Sequence, residues 1–186
     1  MAEITSYDSL LSSVRSAMGR TPHTGSMALA TSDINRRLRV RQMITEVTQA
    51  TLTLPADFLE AETVKVAGTL YVPSHEGAQA RGDGGTFSVN GGSLLLNPAD
   101  AAPDLFLRYY AKLDELESDT TNDVLTNYPD VYMFGWMFSH ARLARDEGGV
   151  AAWGPAFAGA IDSANTANVA ALQSGEAMTV MPRASA

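Results

Sequence analysis

An α+β fold is what this sequence predicts: an antiparallel helix bundle with an inserted antiparallel β meander or small sandwich, then an extended C-terminal tail. Three observations carry the expectation. Apolar residues recur at helical spacing over residues 6–38 and again from 129 to about 166. Between about 44 and 111 they alternate with polar ones and are punctuated by turn signals. From about residue 165 to 186 the chain becomes rich in Ala, Asn and Ser, with no aromatic residue left. One domain over residues 1–164 follows, with helices over about 6–18, 27–38, 129–147 and 154–166 and the β region inserted at 44–111; residues 165–186 form the tail.

Over 6–18, Leu10, Leu11, Val14, Ala17 and Met18 share one face, and Thr5 with Asp8 has the spacing of a capping box. Gly19 and RTPHTG break that helix, and Met27, Ala30, Ile34 and Leu38 form the narrow stripe of the second. Around Leu38 the period drifts towards alternation, reaching Thr51, Leu52, Thr53 and Leu54 before Pro55. Strands are expected over 63–66, 70–72, 86–89, 93–96 and 105–110, with Asn90-Gly91-Gly92 as a hairpin turn. The glycine-rich stretch 74–85 reads as a mobile loop and 114–123 as an acidic connector. Pro129 and Asp130 suit a helix's first turn, Arg142 and Arg145 its end, and Gly148-Gly149 its termination. Pro155 is expected in the first turn of the last helix, because deeper placement removes a hydrogen bond and clashes.

The helix over 129–147 raises the sharpest question. From Val131 to Phe138 only Gly135 is not a large apolar residue, so nearly every side of the element must be covered. The expected core joins Leu10, Leu11, Val14, Met18, Ile34, Leu38, Val131, Phe134, Phe138, Trp153 and Phe157. Val131–Phe138 falls far short of the roughly 20 apolar residues of a membrane span. MAEITSYDSLL also lacks the layout of a signal peptide, so a soluble protein made in a cytoplasm is expected.

Charge and composition exclude several classes of chemistry. The 186 residues carry a net charge of −8, which argues against a free-standing nucleic-acid binder, since phosphate neutralisation needs basic surplus. No cysteine is present, which removes disulfides, thiolate zinc sites and cysteine nucleophiles. His23, His75 and His140 lie in different elements, without metal-site spacing. No nucleophile elbow, phosphate loop or dinucleotide fingerprint occurs. GDGG at 82–85 is followed by no basic residue, and RGD at 81–83 is a coincidence of three residues. Asp114, Glu115, Glu117, Asp119 and Asp123 lack the order of a calcium loop. No catalytic, cofactor or metal residue is therefore assigned, and no enzyme activity is expected. What stands out is cationic: Arg36, Arg37, Arg39 and Arg41 cluster in an otherwise acidic chain, where guanidinium forks suit carboxylate partners.

Four segments in order add what composition does not. INRRLRVRQM, LTLPADFLEA, LRYYAKLDELES and PDVYMFGWMFSHARLARDE followed by AAW resemble the head-to-tail adaptor, or connector, proteins of tailed bacteriophages, over about residues 5–165. The resemblance implies a structural virion protein of the neck, assembled in the host cytoplasm. It implies a ring, usually of twelve copies, that joins the portal to a stopper, tail terminator or other tail protein. Double-stranded DNA would pass through without specific binding, in a lumen whose acidic balance repels phosphate. Adaptor C-termini commonly dock on the portal, so Leu172, Met178, Val180 and Met181 become candidate anchors beside the arginines. Two departures from the family pattern are Gly154-Pro155 with the Ala/Gly-rich run after it, and the glycine-rich 74–85. A neck stopper or tail-completion protein is the nearest alternative. A small DNA-binding module using Arg36–Arg41 is the alternative of another class.

Overall fold

Ser6 opens the first helix by a reciprocal exchange. Its Oγ accepts from the Ser9 amide at 3.3 Å and Ser9 Oγ accepts from the Ser6 amide at 3.0 Å, so the capping box is Ser6/Ser9 rather than Thr5/Asp8. In the computed structural model, the described residues are 4–74, 85–98, 104–118 and 120–177, with the side chains of 172–177 left aside. They divide into two compact units, Met1–Gln42 with Leu113–Ala186, and Met43–Lys112.

The first unit is helical: α1 (Tyr7–Met18), α2 (Ser26–Arg37), α3 (Asp123–Asn127), α4 (Pro129–Leu143) and α5 (Glu147–Ala177). Pro129 occupies the first turn of α4, where its missing N–H costs nothing. The other end departs from expectation. Helix α4 stops at Leu143, and Arg145 takes the left-handed conformation at φ 54°. The Asp146 amide then reaches the Ala141 carbonyl at 2.9 Å and the Arg145 amide reaches Arg142 at 3.2 Å, a Schellman closure without glycine. Asp146 immediately starts α5, its Oδ1 accepting from the Gly149 amide at 2.9 Å. Gly148-Gly149 therefore begins a helix instead of ending one. Pro155 lies inside α5, and residues 165–177, expected in the tail, continue the same helix.

Two glycine notches explain how α4 and α5 pack. A Cβ on Gly135 would sit 3.0 Å from the Phe157 ring, and one on Gly154 would sit 3.2 Å from the Phe138 ring. Each helix thus offers a flat spot to the other's phenylalanine. Of the expected core, Leu10, Val14, Ile34, Leu38, Val131 and Phe157 are buried. Leu11, Met18, Phe134, Phe138 and Trp153 are half-buried; Phe134 stacks on Trp153 at 6.4 Å between centroids. Tyr132, Trp136 and Met137 are buried in the helical unit in their stead. Burial pushes the Tyr132 hydroxyl up to about 12, against a smaller opposing effect from Asn122, whose side-chain amide donates to it at 2.9 Å.

The second unit is a mixed six-stranded sheet in the order β1 (Ile44–Gln49), β6 (Leu105–Ala111), β2 (Phe58–Val66), β3 (Thr69–Pro73), β4 (Thr86–Asn90), β5 (Ser93–Asn97). The expected meander fails in two places. Strand β1 pairs with the last strand, and β3 meets β4 in parallel at Val72/Thr86 and Pro73/Phe87. Hairpins at Ala67-Gly68 and Gly91-Gly92 use paired positive φ, which matches the twist of the flanking strands. The sheet also curls on itself. Just after β1, the chain bridges Thr53 to Ser93 of the opposite edge, with Leu54 N–H to Gly92 at 2.9 Å and Leu94 N–H to Leu52 at 2.8 Å. The curl wraps an interior of Val64, Val66, Phe87, Leu94, Leu105, Leu107 and Tyr109. The stretch expected to form a mobile loop lies outside the described residues, apart from Ser74 and Gly85.

Candidate interaction surface

The arginine cluster spans the end of α2 and the extended segment after it. Leu38 and Val40 point inward and are fully buried, so Arg39 and Arg41 lie on the other side of an extended chain. That chain belongs to no sheet, yet its polar groups are paired. Asn165 on α5 accepts from the Arg39 amide at 2.8 Å and donates to the Arg37 carbonyl at 3.1 Å. One turn later, Asn168 accepts from the Arg41 amide at 2.8 Å and donates to the Arg39 carbonyl at 3.3 Å. Two carboxamides thereby stand in for a neighbouring strand. Sequence reading missed them, although their i, i+3 spacing in an alanine-rich stretch puts both on one helix face.

The four guanidinium groups have different surroundings. Arg36 is 75 % exposed and only loosely paired with Asp33, at 3.8 Å. The exposed Arg37 lies over the Phe157 ring, 5.3 Å from its centroid. Arg39 donates to the carbonyls of Asn35 at 3.0 Å and Leu38 at 2.7 Å, closing the end of α2. Arg41 extends to solvent. The acidic connector is held through its main chain: Asn35 Oδ1 accepts from the Leu113 amide at 2.8 Å, and the Tyr7 amide donates to the Thr120 carbonyl at 3.0 Å. Leu116 is buried while Asp114, Glu115, Glu117 and Asp123 are exposed; Asp119 lies outside the described residues. So do Met178, Val180 and Met181, and the side chain of Leu172.

A second polar cluster joins the α1–α2 loop to α4. The His23 amide donates to His140 Nδ1 at 2.7 Å, and Trp136 Nε1 donates to Ser26 Oγ, which donates to the His23 carbonyl at 2.6 Å. Arg20 reaches Asp146 at 2.8 Å. Burial, then Arg20 and His23, hold the His140 pKa below its ordinary value against the opposing pull of Asp146. The Gly149 amide and then Arg20 lower that of Asp146. The structure thus brings two histidines from separate elements together, with ring centroids 6.5 Å apart. His75 lies outside the described residues.

Among the described residues no three His, Cys, Asp or Glu side chains gather as metal ligands, and no helix is long and apolar enough to cross a membrane. The chain offers a helical unit, a curled sheet and a strip of arginines at the end of α2. It belongs to the SU10 adaptor protein family, whose model matches residues 5–181. The chain is therefore a bacteriophage adaptor, a structural component of the virion. No curated protein matches it.

Proposed function

We propose that the protein assembles as a ring of twelve copies in the neck of the virion, joining the portal to the tail and continuing the DNA channel. The observation that carries this reading is the family match over residues 5–181. The surface chemistry agrees with it. A heterologous ring needs two different complementary faces on each copy, and opposite charge supplies register as well as attraction. Arg36, Arg37 and Arg41, all exposed, form the cationic face and meet a neighbouring copy or the portal rather than DNA. The exposed carboxylates of the acidic connector are the partner within the ring. Arg39 is left out of this contact, because its guanidinium is directed at the end of α2. The C-terminal anchors Met178, Val180 and Met181, with Leu172 ahead of them, dock on the portal, where many weak attachments around one ring sum to firm binding.

The test is attachment to portal-bearing heads, read by co-sedimentation and by cryo-EM of the neck. Truncation belongs after Ala177, since Asn168 is needed to hold the main chain at Arg39 and Arg41. The full chain is expected to bind as a ring beneath the portal; the truncated one is expected to fold and stay in the supernatant. Equal binding by both sinks the docking scheme. A ring found beyond another ring identifies a stopper, and salt-dependent retention on DNA identifies a DNA-binding module.

A further inference from the structure

His140 holds a position that structural packing alone does not require. Its ring is buried, its Nδ1 accepts the His23 amide at 2.7 Å, and its Nε2 is a buried nitrogen with no partner among the described residues. An Nδ1 that accepts from an amide carries no proton, so the ring is neutral with its hydrogen on Nε2. We propose that His140 is a proton-sensitive latch: the neutral imidazole holds the loop of residues 19–25 against α4, and a proton arriving on Nδ1 releases that loop.

The geometry supplies the reasons. Protonation turns the acceptor into a donor facing another donor, which breaks the contact instead of weakening it. The charged and titratable groups acting on the ring are Arg20 and His23 from the loop and Asp146 from the α4–α5 turn. Asp146 is already engaged by Arg20 and by the Gly149 amide. Arg142 on the same helix as His140 is directed to Asp33 of α2 at 2.8 Å. Arg15 of α1 and Glu115 of the connector line the adjoining cleft of about 270 Å³. A new positive charge on the ring is thus repelled from the loop side more than it is compensated. Among the described residues, the loop is also tied to α4 and the α4–α5 turn by the Trp136–Ser26–His23 chain of hydrogen bonds and the exposed Arg20–Asp146 pair. Release opens that cleft, whose lining includes Tyr7 and Trp136.

The experiment follows the full chain by NMR. Histidine ring nitrogen shifts report the tautomer of His140, and amide exchange gives the protection factor at His23, corrected for intrinsic rates, from about pH 7.5 to about pH 5. The expected result is an Nε2–H tautomer at neutral pH and roughly a tenfold or greater loss of His23 protection as His140 gains its proton. In His140→Asn, whose Oδ1 takes the place of Nδ1 and takes up no proton, protection should not vary with pH. Protection that is constant in the wild type, or still pH-dependent in the variant, overturns the proposal. Should the variant not fold, an Nδ1-protonated ring at neutral pH in the wild type overturns it equally.

Discussion

Gly135→Ala isolates the α4–α5 notch. The added methyl would stand 3.0 Å from Cε2 of Phe157, a ring only 1 % exposed and therefore unable to retreat into solvent. Two effects oppose each other. Replacing a glycine inside a helix stabilises by about 1 kcal/mol, whereas overpacking a filled core costs about 1–3 kcal/mol. With a buried partner the second effect should win, leaving a net loss of about 1 kcal/mol, or roughly 2–4 °C in melting temperature for a chain of this size. Gly154→Ala makes the useful contrast. Its methyl would stand 3.2 Å from Phe138, which is half-buried and free to swing outward, so that substitution should be neutral or slightly stabilising. The decisive measurement is a double-mutant cycle with Phe157→Leu, in which the obstructing ring edge is gone. Gly135→Ala should then change sign and stabilise by about 1 kcal/mol, a coupling of about 2 kcal/mol. Urea denaturation followed by tryptophan fluorescence reads the helical unit alone, because both tryptophans, Trp136 and Trp153, belong to it. If Gly135→Ala stabilises equally in both backgrounds, the ring does not occupy the notch and the packing argument fails.

Other substitutions test other joints. Asn168→Leu leaves the Arg41 amide and the Arg39 carbonyl without their partner and should cost about 1–3 kcal/mol in the same urea assay; an unchanged midpoint would mean the carboxamide is idle. Trp136→Phe removes the donor to buried Ser26 Oγ and should cost about 1 kcal/mol, while exchange at the 19–25 loop speeds up. Asp146→Asn keeps the helix cap and should melt close to wild type, whereas Asp146→Ala, which removes it, should melt lower. Because folding lowers the His140 pKa below 6.5, the unfolded chain binds more protons there. Stability should be highest above pH 6.5 and decline as the pH falls towards the folded value; a denaturation midpoint flat across that window refutes it.

What was legible in the sequence was what repeats locally. Helical spacing located α1, α2 and α4, and Asn90-Gly91-Gly92 marked a hairpin, because each pattern is set by neighbours along the chain. Joints were misread where a residue's local preference yields to a partner. Gly148-Gly149 looks like a stop, but the stop had already been made by Arg145 in a left-handed conformation, and Asp146 needs flanking amides to cap. Pro155 looks like a start, yet α5 is already fixed ahead of it by the Asp146 cap and by Trp153 against Phe134. Pairing of β1 with β6 joins residues far apart in sequence, and no local signal encodes that. Gly135 was visible as the break in an aromatic run; its purpose appears only once Phe157 is beside it.

The segment Leu38–Arg41 shows why one stretch can serve both fold and surface. Its alternation is that of a strand, with Leu38 and Val40 buried and charged residues between them, but no strand lies alongside. An extended chain in that position would leave the Arg39 and Arg41 amides and the Arg37 and Arg39 carbonyls unpaired. Asn165 and Asn168 answer those groups, so α5 must run on through the region whose composition suggested a tail. Once the main chain is satisfied in this way, the side chains are released from structural duty unequally. Arg39 is spent on the end of α2, while Arg36 reaches solvent from α2 and Arg41 from a main chain bonded to Asn168. A cation on a fixed backbone loses less freedom when it meets a carboxylate than one on a mobile loop. The asparagines therefore tie the segment to α5 and, by the same bonds, set the main chain from which the ring contact proposed above would be made.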